Sequence, residues 1–282
     1  MDAGFDSNTD EVVDREPDYD GQSKLKTLKE IVKRGETEDR ILSPWWIAVI
    51  LFLDFLTTVA FLAYDWAKLE SGFEGYFISR KVGYGLESYR SYGFYVNHAH
   101  LYYVLAGIAS AALLIVMIYV YINLISRRNK HFKRTAELYN ALADYLEGMG
   151  GDYREVSWRI REIAKRCEID TGTRNVAGWV VLSVLPVINA FAKPYIFHFL
   201  TRDYYRHERY EELILKCLSS KFPKLQLVNF EYPDRDTVMY FLLSAITVGI
   251  FWIYWMYTLF SDPNRHFKEH RVFEELLLEE LS

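Results

Sequence analysis

Four stretches of the chain are nearly free of charge: Pro44–Tyr64, Leu101–Ser126, Val176–Leu200 and Thr237–Phe260. A hydrocarbon core about 30 Å thick needs about 20 apolar residues in a helix to cross it. Each run meets that length, and charged segments separate them. A soluble helical protein can bury one such helix, but four in series predict a membrane protein. The expected fold class is all-α: a polytopic helical membrane protein with about four transmembrane helices, cytosolic amphipathic helices and a helical hairpin.

The polar segments predict the rest of the organisation. Residues 1–22 are acidic and poor in large apolar side chains, so they read as a disordered tail. Residues 23–43 form a basic juxtamembrane helix with Leu25, Leu28, Ile31 and Val32 on one face, suited either to anionic lipid or to the protein's own helices. Residues 44–126 hold the first two spans, joined by a Tyr-rich external loop at 66–99. In 127–175, Phe132, Ala136, Tyr139, Leu142 and Leu146 recur at helical spacing. Gly148-Met149-Gly150-Gly151 breaks the pattern, and Val156, Ile160, Ile163 and Cys167 resume it, which predicts a cytosolic helical hairpin. Residues 176–282 read as two units of membrane segment plus amphipathic helix, the first with Tyr210, Leu213, Ile214 and Cys217 facing inward.

Polar residues inside apolar runs are expensive and mark sites. Asp54 lies in the first run and Asn189 and Lys193 in the third, alongside Pro186 and Pro194, which break the helical hydrogen-bond ladder. Asp54, Asn189 and Lys193 are the intramembrane candidates, with Asp54 and Lys193 a possible pair. Helices broken at membrane depth build binding sites in transporters; the alternative is a kinked packing helix or a re-entrant hairpin.

Composition alters this picture little. The net charge of −5 averages an acidic start with basic patches. The 22 Tyr and 7 Trp gather near span ends, as interfacial rings do. More than forty mostly polar residues precede the first run, so no cleavable leader is expected. Cys167 and Cys217 have neither metal-ligand spacing nor the arithmetic of a disulfide scaffold. Lys and Arg concentrate in 1–44, 127–175 and 261–282 relative to 66–99 and 201–236, which predicts a multi-pass cell-membrane protein with both termini cytosolic. The basic residues of 201–236 fit an external loop poorly; re-entrant third and fourth runs would keep that segment inside.

Arg127, Arg128, Lys130, Lys133 and Arg134 border a span and suit lipid headgroups or serve as topology signals. His98 and His100, with Glu87, are weak metal candidates. His266-Phe267-Lys268-Glu269-His270 matches the inverted zinc-protease spacing and puts two histidines on one helical face. Few residues follow it, and a solvated polar face is the expected reading. No cofactor and no metal is expected, the basic residues are juxtamembrane rather than arranged for nucleic acid, and no nucleophile motif appears.

The last two runs repeat. Leu182-Ser183 aligns with Leu243-Ser244, Thr201-Arg202-Asp203 with Ser261-Asp262, Arg206-His207 with Arg265-His266, and Glu211-Glu212-Leu213 with Glu274-Glu275-Leu276. Asn129-Lys130-His131-Phe132-Lys133 echoes Asn264-Arg265-His266-Phe267-Lys268. Thr247-Val248-Gly249-Ile250-Phe251-Trp252-Ile253-Tyr254-Trp255 resembles a T-x-G-I-[YF]-x-x-Y-W membrane motif in an uncharacterised family of small prokaryotic integral membrane proteins, with a degenerate copy near 186–194. The resemblance implies membrane location and no known activity. The expected function is a non-enzymatic scaffold or subunit of a membrane complex. Its partners are the bilayer and either a second copy or another protein docked through 127–175. The alternatives are a small oligomeric transporter or channel using Asp54, Asn189 and Lys193, and a membrane-embedded lipid-modifying enzyme.

Overall fold

The computed structural model describes residues 19–81 and 86–282, and side chains for 20–69 and 100–282. All its regular elements are helical: α1 (Tyr19–Glu38), α2 (Trp45–Lys81), α3 (Leu86–Met149), α4 (Tyr153–Asp170), α5 (Val176–Val184), α6 (Asn189–Ser219), α7 (Thr237–Ile246) and α8 (Ile250–Leu281), with one 3-10 turn at Pro223–Leu227.

Two apolar cores lie at opposite ends of the bundle. At one end Leu28 of α1, Leu138, Leu142 and Leu146 of α3, Ile160 of α4, Leu218 of α6 and Leu277 of α8 are all fully buried together. Thus α1 lays its apolar face on the protein's own helices. Gly150 and Gly151 take positive φ (72° and 54°) and let α4 fold back along α3. At the other end Ile47 and Ile50 of α2, Val120 and Leu124 of α3, Ile196 and Phe197 of α6, and Trp255 and Leu259 of α8 pack together. Beyond this second core the helices turn large apolar side chains outward, with Phe52, Phe55, Leu62, Ile108 and Ile115 at least 60% exposed. Two helical stretches, Trp45–Leu69 and His100–Met149, are long and apolar enough to cross a membrane.

The structure differs from the expectation in two places. The Tyr-rich loop at 66–99 is mostly helical, because α2 continues to Lys81 and α3 already begins at Leu86. The third and fourth apolar runs are helical hairpins, not straight spans. Helices α5 and α7, at 9 and 10 residues, are only about 14 Å long. Each is launched by a side-chain cap, Asn175 accepting from the Gly178 amide and Asp236 from the Val238 and Met239 amides. Each then breaks and reverses into α6 or α8. Arg174, just before α5, grips Asp203 on α6 with two hydrogen bonds of 2.9 Å. Arg235, just before α7, grips Asp262 on α8 at 2.6 and 3.0 Å. The two ends of each apolar run are therefore tied together, so the chain leaves and returns on the same side.

The reversals carry strain. Val187 and Val248 sit at φ 66° and 51°, a region where a β-branched residue is a genuine outlier, at about 1–2 kcal/mol. Both side chains are largely exposed at the hairpin tips, so little packing is lost on truncation. Val248→Gly should raise the thermal stability of the detergent-solubilised protein by about 1 kcal/mol, and Val187→Gly should do likewise. A melting temperature lowered by either change would contradict the strain argument. Within the second tip, Thr247 Oγ1 accepts the Phe251 amide and Gly249 takes φ 90°. The indole of Trp255 is buried against the first hairpin and donates to Thr201 at 3.1 Å.

Candidate functional site

Between the two cores runs a layer of buried polar groups. Asn129 uses both ends of its amide on the backbone of Arg174, at 2.8 and 3.1 Å. Asn264 brackets Leu42 the same way, at 3.1 and 2.7 Å. These brackets fix where α5 and α2 leave the layer.

Four histidines occupy its centre: His131 on α3, His207 on α6, and His266 and His270 on α8. None is more than 2% exposed. His131 Nδ1 lies 2.9 Å from Asp39, which follows α1, and His266 Nδ1 lies 2.9 Å from Glu208. His270 Nδ1 lies 3.0 Å from Glu274, and His207 Nδ1 lies 3.3 Å from the Cys167 sulfur. The Nδ1 atoms of His131, His207 and His266 have hydrogen-bond partners, whereas that of His270 has none. His131 Nε2 and His266 Nε2 are 3.0 Å apart. Glu211 completes the group, its Oε1 3.1 Å from His207 Nε2 and 2.9 Å from His270 Nε2, and its Oε2 lacks a hydrogen-bond partner. One ligand atom from each of His131, His207, Glu211 and His266 falls within 4.8 Å of all the others.

The electrostatics are those of crowded acids. Asp39, Glu208, Glu211 and Glu274 are at most 5% exposed, and Arg134 bonds both Asp39 and Glu274. Burial opposes charge here, but at Asp39, Arg134, Glu211, His207 and His270 neighbours outweigh it. Glu211 is held well below the ordinary carboxylate range by His207, His270 and His266. His207 is pushed up to about 10 by Glu211 and Cys167, and His270 to about 9 by Glu211 and Glu274. His131 goes the other way, down to about 3, because burial exceeds what Asp39 returns. It is a neutral imidazole, with Nδ1 against Asp39 and Nε2 against His266.

Several expected roles change here. His266 and His270 do share a helical face, but that face is buried rather than solvated, because it packs against α3 and α6. Arg127, Arg128 and Arg134 are buried, with their guanidinium groups taken by protein acceptors. Arg127 bonds Asn264 and the Leu259 carbonyl, and Arg128 bonds Asp203 and the carbonyls of Thr171 and Gly172. Of the five expected headgroup residues, only Lys130 and Lys133 are exposed. His100 is exposed, while the side chains of Glu87 and His98 lie outside the described residues. The sequence reading singled out neither His131 nor Asp39 as site residues and counted only apolar residues as buried on α6. There Leu213 is 46% exposed, and the covered stripe is Tyr204, His207, Glu208, Glu211, Ile214 and Leu218. The available signal was the tripled histidine just beyond an apolar run: His131, His207 and His266, aligned in sequence, meet at one point.

The structure also gathers Asp54, Asn189 and Lys193. All three line one cavity of about 620 Å³ between α2, α3 and the hairpin tips. A second cavity, of about 500 Å³, reaches the polar layer at His207, Glu211, Tyr139 and Cys167.

Residues 235–278, which hold α7 and most of α8, match a family described as a domain of unknown function (DUF4234). No curated protein and no solved structure matches the chain.

Proposed function

We propose that this chain is a membrane-inserted metalloprotein, a non-enzymatic scaffold in which His131, His207, His266 and Glu211 hold one divalent cation of the zinc class. The observation that carries this reading is the convergence of one ring nitrogen from each of three histidines and one carboxylate oxygen within 4.8 Å. Three imidazoles and a carboxylate suit zinc and its first-row neighbours. Each histidine is also oriented through Nδ1 by an acid or thiol, as outer partners orient metal-bound imidazoles. If His131 and His266 both donate through Nδ1, two lone pairs face each other at 3.0 Å, and a cation between them turns repulsion into ligation. Charge agrees: a divalent cation, Arg134 and protonated His270 balance Asp39, Glu208, Glu211 and Glu274. Four protein donors match the structural rather than the catalytic pattern. The centre ties α3, α6 and α8 together.

In this reading α2 and α3 cross the bilayer, the two hairpins enter and leave one leaflet, and the polar layer sits at the cytosolic interface with both termini on that side. The Thr247–Trp255 motif is the hairpin turn, and the three aligned segments are one reused unit. A partner or second copy docks through 127–175, where α4 exposes Trp158 and Ile169.

The full chain, purified in detergent from zinc-supplemented cells, should contain about one divalent cation per molecule by elemental mass analysis. His266→Gln should lose it. Metal-free wild-type protein that takes up neither Zn²⁺ nor Co²⁺ on titration would refute the proposal.

A further inference from the structure

We infer that the cavity between α2, α3 and the hairpin tips binds a zwitterionic phospholipid of the ethanolamine type. This shares only the membrane placement with the metal reading and involves none of its ligands.

The cavity of about 620 Å³ carries one acid, Asp54, and one ammonium, Lys193, on walls that are otherwise uncharged and mostly apolar. Asp54 acts on Lys193 electrostatically, yet the two form no ion pair within 4 Å. Neither side chain has a hydrogen-bond or ion-pair partner among the described residues. A charge in apolar surroundings requires a counter-charge or hydrogen bonds. Tyr121 makes an independent demand: it is 1% exposed, it lines the same cavity, and its hydroxyl has no partner. Asn189 adds an amide. One fixed charge of each sign calls for an occupant that carries both and is neutral overall.

An ethanolamine phospholipid meets each demand. Its ammonium donates to Asp54, and its phosphate accepts from Lys193, Tyr121 and Asn189. The chains lie on the apolar walls. The way in is lateral, because Asp54, Leu51 and Leu114 are exposed on the flank of the helices. That favours a bilayer lipid over a soluble zwitterion. A choline headgroup has no N–H to give Asp54, and a glycerol headgroup has no cation.

The test uses the delipidated full chain in non-ionic detergent, incubated with equal amounts of phosphatidylethanolamine, phosphatidylcholine and phosphatidylglycerol and read by native mass spectrometry. The ethanolamine lipid should be retained at least about tenfold over the others, the worth of one hydrogen bond to a charged group. Asp54→Asn should erase its advantage over the choline lipid, and Lys193→Met should reduce retention of all three. Thermal melting confirms that each variant folds; should either fail to fold, Tyr121→Phe removes one hydroxyl and should weaken retention about fivefold. Equal retention of the three lipids by the wild type would overturn the inference. So would an unchanged preference in Asp54→Asn, or capture of soluble phosphoethanolamine without lipid.

Discussion

Asp203→Asn should be the most damaging single polar substitution in the molecule, lowering stability by about 3–5 kcal/mol, the range for breaking a buried ion pair from one side. Asp203 is 1% exposed and serves two guanidinium groups, Arg128 at 2.8 Å and Arg174 at 2.9 Å. Arg128 is fully buried over the Phe132 ring, 4.3 Å from the centroid. Asparagine keeps the shape but strands that charge and loosens the tie that closes the first hairpin. Asp262→Asn provides the scale. Its partner Arg235 keeps 17% of its side chain exposed and also bonds Tyr240, so the loss there should be smaller, about 1–2 kcal/mol. Denaturant unfolding of the two variants in matched micelles measures the difference. Equal losses, or a loss below about 1 kcal/mol for Asp203→Asn, would show that the first hairpin does not depend on its Arg–Asp tie.

Stripping the bound cation should produce the second large effect. A ligand present at a thousand times its dissociation constant stabilises the native state by about 4 kcal/mol. For a chain of this size that corresponds to a fall of roughly 10 °C in melting temperature on chelation. Re-addition of Zn²⁺ should restore it. The decisive control is His131→Gln, whose melting temperature should be low from the start and indifferent to chelator. A wild-type protein equally indifferent would leave the four histidines as an internal ion network, held by the protons on His207 and His270.

The all-helical class, and the two helices long enough to cross a membrane, were readable from run length alone, because a span is defined by how many apolar residues occur in succession. The hairpins were not, although the sequence carried their breakpoints in Pro186 and Thr247-Val248-Gly249. Length says a run can cross; only the pairing of Arg174 with Asp203 and of Arg235 with Asp262 says that it returns, and such long-range ion pairs leave no periodic trace. Asp54, Asn189 and Lys193 stood out because polarity is rare where they sit. The histidine centre stayed hidden for the opposite reason. On α6 and α8 its residues follow helical spacing as faithfully as any apolar stripe, but a stripe of His and Glu looks like a face turned to water. What separates the two is the partner surface, and that comes from α3 and from Asp39, far away in sequence.

The bracket around Leu42 has a consequence for how the protein is made. The residue that fixes the departure of α2, the first long apolar helix, is Asn264 on α8, the last helix. In order of synthesis α2 and α3 exist well before Asn264. Until it arrives, Arg127 lacks its Asn264 and Leu259 acceptors, and His131 lacks His266. A chain without α8 would therefore hold the buried Arg127 guanidinium without two of its hydrogen-bond acceptors.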